Sequence, residues 1–173
     1  MTGIIKVDTI QNNGGTTAMT IDSSGRVIQS ALPRFACHLS SSTAINSTSV
    51  VDAKFDTIDF NVGGHLAIAS SVATFTAPLT GHYQISSSII TDGTDGVSWA
   101  NSMWYVNDAE LSSSADLSYR TIEDPQGGAY QHHGISLLIA LNANDTLNVK
   151  YRNAGDSTTN FRAGCRFTGF LVA

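Results

Sequence analysis

The 173 residues are enough for one domain with a sizeable core and a short appendage. Only 13% are charged, about half the usual share, while 42% are hydrophobic, a balance that argues against disorder. The net charge of −5, without any Lys/Arg cluster, excludes the basic stripe that nucleic acid requires; the longest apolar runs, residues 135–141 and 167–173, are too short to insert across a bilayer.

In chain order, residues 1–32 stand apart. Ile4, Ile5, Val7 and Ile10 make an apolar strand over residues 4–10, and Asn12-Asn13-Gly14-Gly15 turns the chain. Short strands follow near 19–21 and 26–28, separated by Ser23-Ser24-Gly25. One lysine and no continuous apolar stretch do not make a secretory signal, so assembly in a cytosol is expected. A segment this small cannot bury its own apolar face; it must pack on the main domain, on identical neighbours or on another protein. Leu32-Pro33 marks the junction, because proline disfavours a continuing ladder. The chain thus divides into residues 1–32 and 33–173.

Beyond the junction helical periodicity is nearly missing, and alternation predicts strands near 34–39, 57–60, 73–77, 82–90, 97–106, 130–141, 146–153 and 161–172. Turn-forming runs separate many of them, including Val62-Gly63-Gly64, Asp92-Gly93-Thr94-Asp95-Gly96 and Asn142-Ala143-Asn144-Asp145. Many closely spaced strands with nothing helical between them indicate an all-β sandwich or jelly roll. Two cysteines, Cys37 and Cys165, are too few for a disulfide framework and lack zinc spacing. They read as small buried hydrophobes, with a single bond between them as the alternative.

Residues 55–84 read FDTIDFNVGGHLAIASSVATFTAPLTGHYQ. The succession Phe55, Asn61, Leu66, Phe75, Gly81, Tyr83 resembles the signature of the complement C1q-like, tumour-necrosis-factor-like jelly rolls. Two departures stand out: the spacer between Leu66 and Phe75 is two residues longer than usual, suggesting a longer loop, and Ile85 and Ser87 replace aromatics. Residues 139–147, IALNANDTL, resemble the family's strand–turn–strand, with Asn144 where a left-handed glycine is usual. The closing FTGFLV of residues 167–172 resembles the family's last strand. The resemblance covers roughly 33–173 and implies a jelly-roll head whose first and last strands pair antiparallel, bringing Cys37 and Cys165 near each other. It also implies an obligate homotrimer with largely apolar interfaces. Phe75, Tyr83, Ile85, Leu137 and Phe170 are the residues expected in the core or trimer seam. The segment from Lys6-Val7-Asp8-Thr9-Ile10 to Ser24-Gly25-Arg26-Val27 resembles the start of bacteriophage tail-fibre and appendage proteins.

Catalytic and metal signals are weak. His132 and His133 are neighbours on one strand and point to opposite faces, so they cannot easily share an ion, though one of them repeated around a threefold axis would become three. His38, His65 and His82 lack partners at familiar ligand spacing, and no metal site is expected. Residues 92–96 gather oxygen ligands of the kind calcium takes, but without the full ligand series; turn chemistry explains them, and calcium is the one cofactor left open. Asp92, Asp95, Trp99 and Trp104 are the candidates for a ligand-binding loop, with core or trimer packing as the plainer role of the tryptophans. No nucleophile elbow or phosphate loop occurs, and the acidic pairs Asp108/Glu110 and Glu123/Asp124 read as loop charges. The sequence thus points away from an enzyme. It points to a homotrimeric virion appendage assembled in a host cytoplasm, held to other virion proteins by residues 1–32 and displaying a head to a host glycan or protein. The alternative is a non-viral C1q-like binding protein.

Overall fold

The computed structural model describes residues 6–29, 32–45, 47–92, 99–111, 130–154 and 159–172. Among them are strands and no helix, so the chain is all-β as its alternation predicts. In chain order the strands are β1 (Thr9–Gln11), β2 (Thr17–Ile21), β3 (Val27–Ile28), β4 (Arg34–His38), β5 (Thr43–Ala44), β6 (Val51–Asp52), β7 (Thr57–Val62) and β8 (Leu66–Ala69). There follow β9 (Val72–Thr76), β10 (Gly81–Asp92), β11 (Trp99–Val106), β12 (Ala109–Glu110), β13 (Tyr130–Leu141), β14 (Thr146–Ala154), β15 (Asn160–Phe161) and β16 (Arg166–Val172).

Strands β1, β2 and β3 form a three-stranded antiparallel sheet and, among the described residues, hydrogen-bond only to one another. Its turns follow the sequence chemistry. Asn12 Oδ1 accepts from the backbone of Gly14 and Thr16, Asp22 Oδ1 from Ser24 and Arg26, and Gly15 and Gly25 take left-handed φ of 80° and 77°. Val7, Ile10, Val27 and Ile28 stay exposed, as expected of a segment too small for a core.

The rest is a sandwich of two antiparallel sheets. In the front sheet the twelve-residue strands β10 and β13 pair along their whole length, from Gly81↔Leu141 to Asp92↔Tyr130. The other edge of β10 pairs first with β16 and then with β15; β16 pairs β4, β4 pairs β7, and β15 pairs β5. The back sheet runs β12-β11-β14-β9-β8, with β6 also on β14. The first and last strands of the sandwich, β4 and β16, are therefore antiparallel neighbours, as the resemblance implies.

Strict alternation on β10 and β13 decides what lies inside. Tyr83, Ile85, Ile89, Leu137, Ile139 and Leu141 face the back sheet and are buried. The centre is aromatic: Phe35 stacks on Phe75 at 4.6 Å and meets Phe167 edge-on at 4.8 Å, while Trp104 lies 5.6 Å from Phe167. Toward the other end the interior turns polar. Ser87, Thr91, Ser102, Gln131, His133, Asn153 and Thr159 are all buried there, and the Asn153 amide donates to Thr159 Oγ1 at 3.2 Å. Such groups lose hydration on folding, so this end gains less from burial than the aromatic end.

Three local expectations are corrected. The lengthened stretch between Leu66 and Phe75 is no loop but a hairpin, β8–β9, whose Ser70 and Ser71 take φ of 50° and 60° as a two-residue primed turn requires. The strand expected over 161–172 is two strands, because Gly164 at φ 96° turns the chain between β15 and β16. Strands β5, β6, β8 and β12 carry too few residues to show alternation and were not expected. Asn144 does take the left-handed conformation, at φ 73°.

Candidate functional site

The outward face of the front sheet carries the features that matter, and pairing registers lay it out in rows. One row reads Leu138, Gln84, Phe170, Arg34 and Val62 across β13, β10, β16, β4 and β7; the next reads Ser136, Ser86, Thr168, Ala36 and Phe60. Beyond the first row lie Ala140, His82 and Val172. Phe170, Leu138, Phe60 and Val172 are 50%, 56%, 47% and 42% exposed, an apolar group at one end of the face, interleaved with Gln84, His82, Arg34 and smaller residues. A lone exposed Leu is ordinary, but several neighbours on a pleated surface form a patch that water does not favour.

Further along, the face becomes charged. A bulge against β4 leaves Asp59 as the extra residue of β7. Its carboxylate bridges His38 Nδ1 at 2.8 Å and Arg166 Nη1 at 3.3 Å. At the far end, beyond Gly134 and Ser88, a cleft of about 300 Å³ is lined by Ser42, Ile90, Tyr130, His132, Arg162 and Ala163. Arg162 is fixed from three sides. Its backbone N–H donates to Ile90 O at 2.8 Å, Nε lies 3.2 Å from Asp92 Oδ1, and Nη2 donates to the Tyr130 hydroxyl at 3.0 Å. Asp92 is held in turn by the Asn160 amide at 2.6 Å. These residues meet because β10 has β13 on one edge and β15 on the other, with Asp92 opposite Tyr130 and Thr91 opposite Phe161.

The residues singled out by sequence fall in three places. Phe75, Tyr83, Ile85 and Leu137 face inward and belong to the core; Phe170 faces outward on the apolar end. The Tyr83 hydroxyl donates to Leu79 O at 2.8 Å, which gives a buried phenol its partner. Asp92 sits at the cleft with its carboxylate paired to Arg162 and Asn160. Asp95 lies outside the described residues, as do Glu123 and Asp124, and Trp99 opens β11. Trp104 is a correction: it is fully buried against Phe167, so its ring is core and no part of a binding loop. His132 is exposed and His133 buried, on opposite faces as strand geometry dictates. Among the described residues no three His, Cys, Asp or Glu side chains gather to hold a metal. Asp108 lies in the β11–β12 turn at φ 61°, and Glu110 is exposed on β12. Sequence reasoning missed Tyr130 and Arg162 as a pair, since residues 32 apart carry no local signal of their meeting.

Cys37, on β4, and Cys165, which immediately precedes β16, are free and buried. Register places Cys37 opposite Phe167, so the two thiols are offset rather than face to face. Burial, with the Asp59 charge adding to it, pushes the Cys37 thiol up to about 12, and burial raises Cys165 as well.

Together the paired sheets form a jelly-roll sandwich with the fold of the C1q and tumour-necrosis-factor domains. Solved structures share it: the globular domain of a zebrafish complement 1qA protein has 12% identity and a TM-score of 0.54, covering 82% of this chain and 98% of its own. Murine APRIL at pH 5.0 has 12% identity and a TM-score of 0.56, covering 82% of this chain and 99% of its own. At such identity the likeness is one of fold alone. No protein-family model and no curated protein sequence matches the chain.

Proposed function

We propose that the chain is a non-enzymatic structural subunit that forms a homotrimer through the outward face of its front sheet and serves as an appendage of a virus particle. The observation that carries the reading is the apolar end of that face. Leu138, Phe170, Val172 and Phe60 are each 42–56% exposed on strands β13, β16 and β7. Each of these side chains is already about half covered, so covering the rest against a neighbour is worth about 1 kcal/mol apiece, which contributes to an interface and is not the whole of one. A closed threefold arrangement also leaves no unpaired copy of a patch. The fold shared with the complement 1qA domain and APRIL is compatible with this assembly. The virion role draws on the likeness of residues 6–27 to phage appendage proteins, and on a sheet that leaves Val7, Ile10, Val27 and Ile28 exposed for another surface.

Light scattering is expected to give a mass three times that of the 18.3 kDa chain. Replacing Phe170 by Glu is expected to yield monomers or aggregate. Mass spectrometry of purified phage particles from the source culture is expected to find the chain. A monomeric wild type absent from particles would sink the proposal. A trimer absent from particles favours the second reading, a non-viral C1q-like binding protein, which the fold shared with non-viral proteins supports.

A further inference from the structure

We infer that the cleft at the far end of the front sheet binds one neutral pyranose residue of a host-surface polysaccharide; this rests on the reading of the chain as a displayed head. The cleft, about 300 Å³, is at the small end of the range for ligand sites. Its wall is Tyr130, 61% exposed, with the Arg162 guanidinium over its ring at 5.0 Å from the centroid. That contact and the 3.0 Å hydrogen bond to the phenol hold the ring still while most of its surface stays open. A fixed aromatic ring suits the C–H face of a sugar, because ordering costs little once the side chain is already held. Ile90 and Ala163 supply further apolar contact. Around them stand hydroxyl partners. His132 is exposed, and Ser42 Oγ accepts from Ala163 N at 3.4 Å while keeping its own proton to donate.

Charge argues for a neutral sugar. The Arg162 cation is matched by Asp92, whose other oxygen is held by Asn160 at 2.6 Å, so the cleft offers directed polar atoms rather than a net attraction for anions. Position argues for a site that stays open. His132 lies six residues along β13 from Leu138, about 20 Å at the usual strand rise, so a neighbour covering the apolar end need not close the cleft. Three copies on one trimer would raise a weak single-site affinity through avidity.

The test uses the full chain on an array of immobilised neutral and acidic saccharides, with oligomeric mass and melting temperature measured beside it. Wild type is expected to bind neutral hexose-bearing glycans. Tyr130→Ala is expected to lose about tenfold in affinity at unchanged mass and melting temperature, and Tyr130→Phe to retain most of it. Undiminished binding by Tyr130→Ala, or binding confined to acidic sugars, would overturn the inference. So would a trimer that binds no glycan at all, while leaving the oligomeric reading intact. If Tyr130→Ala unfolds, Tyr130→Phe and His132→Ala decide: unchanged binding by the His132 variant counts against the cleft, and a loss supports it.

Discussion

Gly169 shows how tightly single residues are constrained. A methyl built on it would sit 2.8 Å from the Phe35 ring and 3.2 Å from Ile85 Cγ2. Phe35 cannot retreat without leaving its stack on Phe75 or its edge contact with Phe167. Gly169→Ala is therefore expected to lower stability by about 1–3 kcal/mol, read as a shifted denaturant midpoint at unchanged slope. The thiols make a second prediction at this scale. With Cys37 at about 12 and Cys165 also raised, neither is a thiolate near neutral pH, and both are fully buried. A disulfide-exchange reagent at pH 8 is expected to label neither in the native protein and both in denaturant. Fast native labelling of both would contradict the packing described.

Among elements, the turns at one end of the back sheet are clasped by side chains. Asn107 Nδ2 donates to Asp145 Oδ1 at 2.8 Å, Thr146 N donates to Asn107 Oδ1 at 2.9 Å, and Asn142 N donates to Asp145 Oδ2 at 2.7 Å. The Asn107 amide first, and then the Asn142 N–H, hold the Asp145 carboxyl below its ordinary value of 3.8. A folded pKa below the unfolded one adds stability that is complete above 3.8 and is lost as pH falls through the folded value. Thermal melts are expected to drop as pH falls below 3.8. Asp145→Ala is expected to be less stable at pH 7 and to show a shallower acid loss; an unchanged acid profile would remove the clasp from the account. The clasp was half legible in sequence. The Asn142-Ala143-Asn144-Asp145 turn announces itself, but Asn107 reaches it only because β11 pairs with β14.

At the scale of the whole molecule, the front sheet is zoned on both faces. Inward it passes from Tyr83, Ile85 and Leu137 to Ser87, Thr91 and Gln131; outward it passes from Leu138 and Phe170 to Tyr130 and His132. The proposed oligomer contacts and the proposed ligand contacts then lie at opposite ends of one sheet face, and a mutation at either end is expected to leave the other property intact. Phe170→Glu should change the mass, and Tyr130→Ala should not. Phe170 lies in a closing strand whose Phe167 is core, and three residues on, an odd step along a strand, it faces outward and is half exposed.

What the sequence alone determined is what period two can encode: an all-β chain, the long strands, the glycine and asparagine turns, and that Tyr83, Ile85 and Leu137 belong to a core or a seam. Alternation and turn chemistry act over a few residues, so they are written locally. Only the tertiary structure decided that Trp104 is core, that residues 66–76 form a hairpin, and that Tyr130 and Arg162 share a cleft with Asp92 paired to the Arg162 cation. Those outcomes depend on which strands pair across dozens of residues, and no local pattern carries that information.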